Sequence, residues 1–332
     1  MGKKTFLLMT LTLLAACGTR EGTGPVVGLS IPTQREERWV RDVQQLRSDA
    51  AARGMDLKLQ VSDNDAARQL AQCENLLAGG IDVLILAPHD ATAASVIVEK
   101  AHRLGVPVIS YDRLVSNADV DLYVSFDNVK VGEIQGRYLA AKVPKGDYIV
   151  LSGAPTDNNA KLFREGAMKV IGPLVAKGDI KLVIDQPVRD WQPAEAMRLV
   201  ENALTSAKNR VDAVLAPNDG TAGGAIQALA AQGLAGKVPV TGQDAELSAA
   251  RRVLDGTQAM TVFKDTRRLA SSAIEAAEAM AKKLPPKFNA EIQNGPYKVK
   301  VAMIGAQVVD RANLDEMLVN SGYLSRTDIY GK

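Results

Sequence analysis

The sequence predicts an α/β protein made of two doubly wound parallel-sheet lobes joined by a three-segment hinge. The first observation behind this is a strand, helix, strand unit written twice. It reads IDVLILAPHDATAASVIVEKAHRLGVPVISYD over 81–112 and VDAVLAPNDGTAGGAIQALAAQGLAGKVPVTGQD over 211–244. Each copy starts with a short apolar run after an acidic residue (Asp82, Asp212), breaks at Ala-Pro and crosses an Ala-rich stretch ended by Gly. Each closes on V-P-V and a final aspartate, Asp112 or Asp244. Short apolar runs bounded by turn signals read as buried parallel strands, and the stretches between them are long enough for crossover helices. The second observation is a strongly periodic helix over 265–283, with Leu269, Ala273, Ala276 and Met280 on one face, which follows the fifth strand of the second half. It has no counterpart after the fifth strand of the first half, so it is assigned back to the first lobe.

Taken in order, the first strand spans Val26 to Ile31, and the polar PTQREERW after it lies at its carboxyl end. The next helix turns Val40, Val43 and Leu46 inward and stops at Gly54, a left-handed cap. A second strand over 57–61 ends in Ser62-Asp63-Asn64-Asp65, which reads first as helix caps. The third strand ends at Pro88-His89-Asp90, the fourth at Ser110-Tyr111-Asp112-Arg113, and the fifth, Leu122 to Phe126, at Asp127-Asn128, where the chain first crosses between lobes. The second half repeats the order with strands over 148–152, 181–185, 211–215, 238–241 and 258–263. Pro285-Pro286 breaks the long helix, and 299–304 supplies a third crossing. The lobes are therefore drawn as 26–129 with 265–300, and 130–264 with 301–332.

In open α/β sheets ligands sit beyond the carboxyl ends of the strands, so the polar groups collected there should face a common cleft. In the first half these are Arg38, Trp39, Asp112 and Arg113. In the second they are Asp157, Asn159, Arg164, Trp191, Asn218, Asp244 and Lys264. Asn218-Asp219-Gly220 is also good turn chemistry. The two histidines, His89 and His102, have no cysteine or second histidine nearby, which gives metal and His-based catalysis no support.

Residues 1–16 carry Lys3 and Lys4 ahead of a short apolar stretch and read as an export signal, too short to span a bilayer. Leu14-Ala15-Ala16-Cys17 resembles a bacterial lipobox, which would make Cys17 the lipid-carrying first residue of the mature chain, with 17–25 as a flexible tether. Without the two signal lysines, 38 basic residues balance 38 acidic ones, so there is no electrostatic argument for nucleic acid. Cys73, on one helical face with Leu70 and Leu77, reads as a buried thiol.

Several longer stretches carry a resemblance: ERW at 37–39, YDR at 111–113, SFDN at 125–128, DNNAKLFR at 157–164, ND and then TAGGAIQALAAQGLAGKV within 218–238, GQDAE at 242–246 and TVFKDT at 261–266. In these the chain resembles the periplasmic sugar-binding proteins of ABC importers, type I fold, and most of all their D-xylose-binding branch. The resemblance implies a monomeric, exported binding protein without cofactor or metal, which captures a monosaccharide between its lobes and delivers it to importer membrane subunits. It further implies that Arg38, Asp112, Arg113, Asp157, Asn159, Arg164, Asn218, Asp244 and Lys264 hydrogen-bond the sugar while Trp39 and Trp191 stack on its faces. Pro32-Thr33 and Pro217 depart from the xylose pattern. Pro32-Thr33 and the FKDTR run at 263–267 are similar to a neighbouring branch that binds several aldoses and feeds a chemoreceptor. A glycosidase would need a carboxylic acid held neutral, whereas Arg113 and other cations near Asp112 and Asp244 favour ionisation. A repressor's effector domain, which shares this fold, would need a DNA-binding segment in place of the export signal.

Overall fold

Residues 24–331 are described by the computed structural model. The expected signal peptide, the lipidation of Cys17 and most of the tether lie outside the described residues. Among those described, no helix is long and apolar enough to cross a membrane.

The first half runs β1 (Val26–Ile31), α1 (Glu37–Ala52), β2 (Asp56–Val61), α2 (Ala66–Ala78), β3 (Val83–Leu86), α3 (Ser95–Arg103), β4 (Val108–Tyr111) and β5 (Leu122–Phe126). After α4 (Asn128–Lys142) come β6 (Gly146–Ser152), α5 (Asn158–Lys177), β7 (Ile180–Pro187), α6 (Pro193–Ser206), β8 (Ala213–Leu215), α7 (Asp219–Ala231), α8 (Leu247–Asp255) and β9 (Thr261–Phe263). The chain ends with α9 (Thr266–Ala281), β10 (Ala290–Asn294), β11 (Tyr297–Ile304), β12 (Gln307–Val309) and α10 (Arg326–Tyr330).

The first sheet has the order β10-β11-β5-β4-β3-β1-β2 and is parallel except for its edge pair β10–β11. Alternation along β1 sends Val27, Leu29 and Ile31 to one face, where they meet Trp39, Val43 and Leu46 of α1 and Leu269 and Ala273 of α9. Helix α9 therefore packs on the first sheet, where its lone position in the repeat assigned it. Val40, expected inward, is exposed, because the α1 stripe runs through Trp39, Val43 and Leu46 instead. The other face of the sheet buries Cys73 with Leu76, Leu77 and Leu84, and burial pushes the Cys73 thiol up to about 11.

The second half is less regular than five strands against five. Its sheet is β7-β6-β8, and the expected strand over 238–241 shrinks to a single bridge from Val214 to Val240. Pro239 has no N–H to donate there, and only its carbonyl takes part, accepting from Val214 N at 3.0 Å. A hairpin around Gly295 (φ +60°) adds β10 to the edge of the first sheet, and β11 stays in that sheet through Ile304. The third crossing thus falls after Ile304 rather than at 300/301. It runs beside the first, since Asp127 N reaches Ile304 O.

Two helices are brought unusually close. A Cβ on Gly132 of α4 would lie 1.9 Å from Phe163 O, and one on Gly166 of α5 would lie 1.9 Å from Val129 O. This approach fixes the first turn of α5, and with it Asn159 and Phe163, against the start of α4.

Candidate ligand-binding site

The carboxyl ends of both sheets face each other across one cavity, whose space, counted with its opening to solvent, is about 320 Å³. Ten of the eleven residues expected from sequence line it: Arg38, Trp39, Asp112, Arg113, Asp157, Asn159, Trp191, Asn218, Asp244 and Lys264.

The first-lobe wall is built around Asp112. It sits just past β4 with φ +58°, a conformation that turns its side chain back over the strand end. Arg38 Nη1 donates to its Oδ1 at 2.6 Å, and Asn159 Nδ2 donates to its carbonyl at 3.0 Å. Arg38 is gripped from behind by Asp42, at 2.6 and 3.0 Å, and the Tyr111 hydroxyl donates to Asp42 at 2.5 Å. Burial opposes ionisation of Asp112, but Arg38, Lys264 and Arg113 together outweigh it and hold the carboxylate below its usual range. Arg38 and Arg113 pack against the Trp39 ring, with their guanidinium carbons 4.4 and 5.3 Å from its centroid.

The second-lobe wall comes from helix starts and crossings. Asp157 caps α5 by accepting from Asn159 N at 2.9 Å, and its other oxygen pairs with Arg113 at 2.8 Å. Asn218 caps α7 through its side-chain oxygen, 2.9 Å from Thr221 N, so its turn chemistry and its place in the cavity coexist, with the amide N–H groups left for the cavity. Trp191 stands edge-on to Phe163, with centroids 6.4 Å apart. It fits because residue 153 is glycine, where a Cβ would fall 2.0 Å from the indole ring. Lys264, at the second crossing, lies 2.9 Å from Asp244 and 4.0 Å from Asp112, between the Phe126 and Phe163 rings.

Arg164 is the correction. Asn159 and Phe163 lie one turn apart on α5 and both face the cavity, so the next residue points roughly 100° away. Arg164 is accordingly exposed and binds Asp185, with Nε to Oδ1 at 3.0 Å. Three lining residues had gone unread: Glu36, Phe163 and Gln243. Phe163 could have been found by helical spacing from Asn159, and Gln243 by its place before Asp244. Glu36 carries no such signal in the polar PTQREERW stretch.

Beneath the cavity lies an acidic layer. Asp219 is held by Thr261 at 2.9 Å, Gln258 at 2.8 Å and the Glu246 amide at 3.0 Å. Burial, and then the charge of Asp244, push its carboxyl up to about 7. Glu246 is pushed up to about 9 by burial and by Asp219, Asp244, Glu37 and Glu36. The last two belong to the opposite lobe. Glu37 also accepts from Leu247 N at 2.9 Å, so a first-lobe carboxylate caps the second-lobe helix α8.

Residues 27–285 match the periplasmic binding protein domain family. The chain belongs to the periplasmic binding protein family. It is 45% identical over 304 residues to a D-xylose-binding periplasmic protein of Haemophilus influenzae, covering 92% of each chain. It is 39% identical to the D-xylose-binding periplasmic protein of Escherichia coli, covering 98% of this chain and 99% of the other. The multiple sugar-binding periplasmic receptor ChvE of Rhizobium radiobacter is 34% identical, covering 95% and 97%. Among solved structures, a carbohydrate transporter solute-binding protein of Chloroflexus aurantiacus in complex with D-glucose superposes with a TM-score of 0.86 at 36% identity, covering 91% and 97%. This periplasmic binding protein has the type I α/β architecture of those structures. The family is one of substrate-binding proteins, not enzymes.

Proposed function

We propose that the chain is an exported periplasmic protein that captures a neutral monosaccharide, D-xylose first, between its lobes and delivers it to an ABC importer. The observation that carries this is the cavity's chemistry. Planar charged and amide groups from both lobes surround it, an indole forms one wall, and several buried polar atoms lack a protein partner: Glu36 Oε2, Gln243 Oε1 and Trp191 Nε1. Leaving such atoms unsatisfied costs about 1–3 kcal/mol each. A ring bearing several hydroxyls satisfies donors and acceptors together, and its C–H faces suit an aromatic wall. In this reading Arg38, Asp112, Arg113, Asp157, Asn159, Asn218, Asp244 and Lys264 hydrogen-bond the sugar, and Trp39 and Trp191 supply its aromatic surfaces.

A thermal-shift screen of neutral pentoses and hexoses tests it. D-xylose at a hundred times its dissociation constant should add about 2.7 kcal/mol of apparent stability. A melting point unmoved by every aldose would overturn the reading. A second reading, several aldoses recognised in service of a chemoreceptor, draws support from the glucose bound in structural relatives and from the ChvE match. It requires D-glucose to bind within about tenfold of D-xylose, a difference of about 1.4 kcal/mol. The protein is proposed to act as a monomer, anchored to a membrane through lipid on Cys17. Partition of the exported chain into detergent, lost in Cys17→Ser, checks the anchor.

Closure should be linked to protons. In an open cleft Glu246 loses the repulsion of Glu37 and Glu36 and ionises more readily than in the closed form, where burial, Asp219 and Asp244 first, and these two after them, push its carboxyl up to about 9. Its raised value means that the closed form is favoured at low pH and loses that advantage as pH rises through the window up to about 9. Around Glu246 the cations are committed elsewhere, Arg252 to Gln258 and the Asp219 carbonyl and Lys264 to Asp244. Sugar affinity should therefore fall between pH 7 and 9, and Glu246→Gln should flatten that fall while leaving affinity near pH 6 almost unchanged. Titration calorimetry across this range decides it; an unaltered pH profile in the variant would refute the linkage.

A further inference from the structure

The cavity's charges are almost all spoken for. Arg38 is shared between Asp42 and Asp112, Arg113 binds Asp157, and Lys264 binds Asp244. Glu36 differs. It is the residue before α1, in extended conformation, where shorter acids usually accept from their own helix's amides, yet its side chain makes no such bond. The residue lines the cavity instead. Only 8% of the residue is exposed. Its Oε1 accepts from Arg35 Nη2 at 2.7 Å, while Oε2 is buried without a protein partner.

The second lobe meets the partner of Glu36. The same Arg35 nitrogen donates to the Asp190 carbonyl, next to Trp191, so the Arg35–Glu36 pair spans the seam between the lobes. The second-lobe groups lining the cavity include Gln243, whose Oε1 is also unpartnered, and Asp244. Both oxygens accept and neither donates. A buried carboxylate oxygen with no donor from the protein needs an O–H from the ligand, and it repels any anionic substituent brought to the same place.

We propose that Glu36 is a specificity-determining residue: its free carboxylate oxygen accepts a hydrogen bond from one hydroxyl of the bound sugar and excludes sugars that carry an anionic group at that position. This rests on the sugar-binding reading above. Selectivity then comes mainly from the penalty on a ligand that leaves the oxygen empty.

A cycle of protein and ligand deletions tests it. Titration calorimetry would compare the parent protein, Glu36→Leu, Glu36→Gln and Arg35→Ala against D-xylose, D-glucose, their monodeoxy derivatives and D-glucuronate. Glu36→Leu should lose about tenfold or more in affinity for the parent sugar, the size of a hydrogen bond to a charged group. One monodeoxy sugar should suffer a comparable loss on the parent protein and less than about a twofold further loss on Glu36→Leu, which is the signature of direct coupling. Glu36→Gln keeps the shape and guards against misfolding as the cause. It should bind the parent sugar more tightly than Glu36→Leu and discriminate less against D-glucuronate than the parent protein does. Arg35→Ala should weaken all neutral sugars alike without changing their order. The proposal is overturned if no deoxy sugar couples to position 36, or if Glu36→Leu behaves as Arg35→Ala does, since Glu36 would then act only through closure. Failure of the parent protein to bind any aldose would instead remove the sugar reading itself.

Discussion

Asp244→Asn should lower sugar affinity by at least about a hundredfold, roughly 2.7 kcal/mol, while the ligand-free protein still melts cooperatively near the parent temperature. The asymmetry follows from where the charge is buried. Lys264 is almost wholly inaccessible, 2.9 Å from Asp244 and 4.0 Å from Asp112, with aromatic rings 5.4 and 5.5 Å from its ammonium. Removing one partner of such a pair costs about 3–5 kcal/mol because the remaining charge is stranded. That cost falls on the closed form, since opening the cleft returns the ammonium to water, and closure is what the ligand must drive. Asn is the informative replacement because residue 244 has φ +99°, where Ala would add backbone strain to the lost charge. Calorimetry paired with thermal melts measures both halves; affinity within tenfold of the parent would remove Asp244 from the site.

Asp244 and its counterpart Asp112 also show what the sequence made legible. Each ends a V-P-V strand in a repeated unit, and strand ends in an α/β sheet face the ligand side, so composition and order sufficed to bring them to one cavity. The support beneath them was not legible. Arg38 and Asp112 stand 74 positions apart, and Asp42, which holds Arg38, and Tyr111, which holds Asp42, belong to different elements, so no local pattern reveals the network. Arg164 failed for a simpler reason. It sits in a motif with three cavity residues, Asp157, Asn159 and Phe163, and only the helical angle between positions 163 and 164 separates the wall from the surface. In the second lobe V-P-V promised a strand, but only Val240 pairs there, with Val214, although the same V-P-V at 106–108 leads into β4.

Trp191→Ala should cost about a hundredfold or more in affinity, with a smaller effect on the stability of the free protein. The residue is reached through a backbone that ordinary side chains avoid, with Asp190 at φ +50° and Trp191 at φ +57°. Such strain, of order 1–3 kcal/mol per residue, persists where the surroundings impose it. Here the Phe163 ring meets the indole edge-on and Gly153 leaves the space it occupies. Truncation forfeits the aromatic wall and leaves a void next to a polar cavity; in packed interiors Trp→Ala typically costs about 3–5 kcal/mol. The free protein feels less of this, because an open cleft lets water fill the void. Trp191→Phe separates the two contributions of the side chain: it keeps an apolar face but loses Nε1, which is buried with no protein partner. If that N–H meets a sugar oxygen, Phe should recover part of the affinity and still fall short of the parent by about tenfold, close to one hydrogen bond. Equal affinity in Trp191→Phe and the parent would assign the indole to stacking alone, and unchanged affinity in Trp191→Ala would place the ligand elsewhere in the cleft.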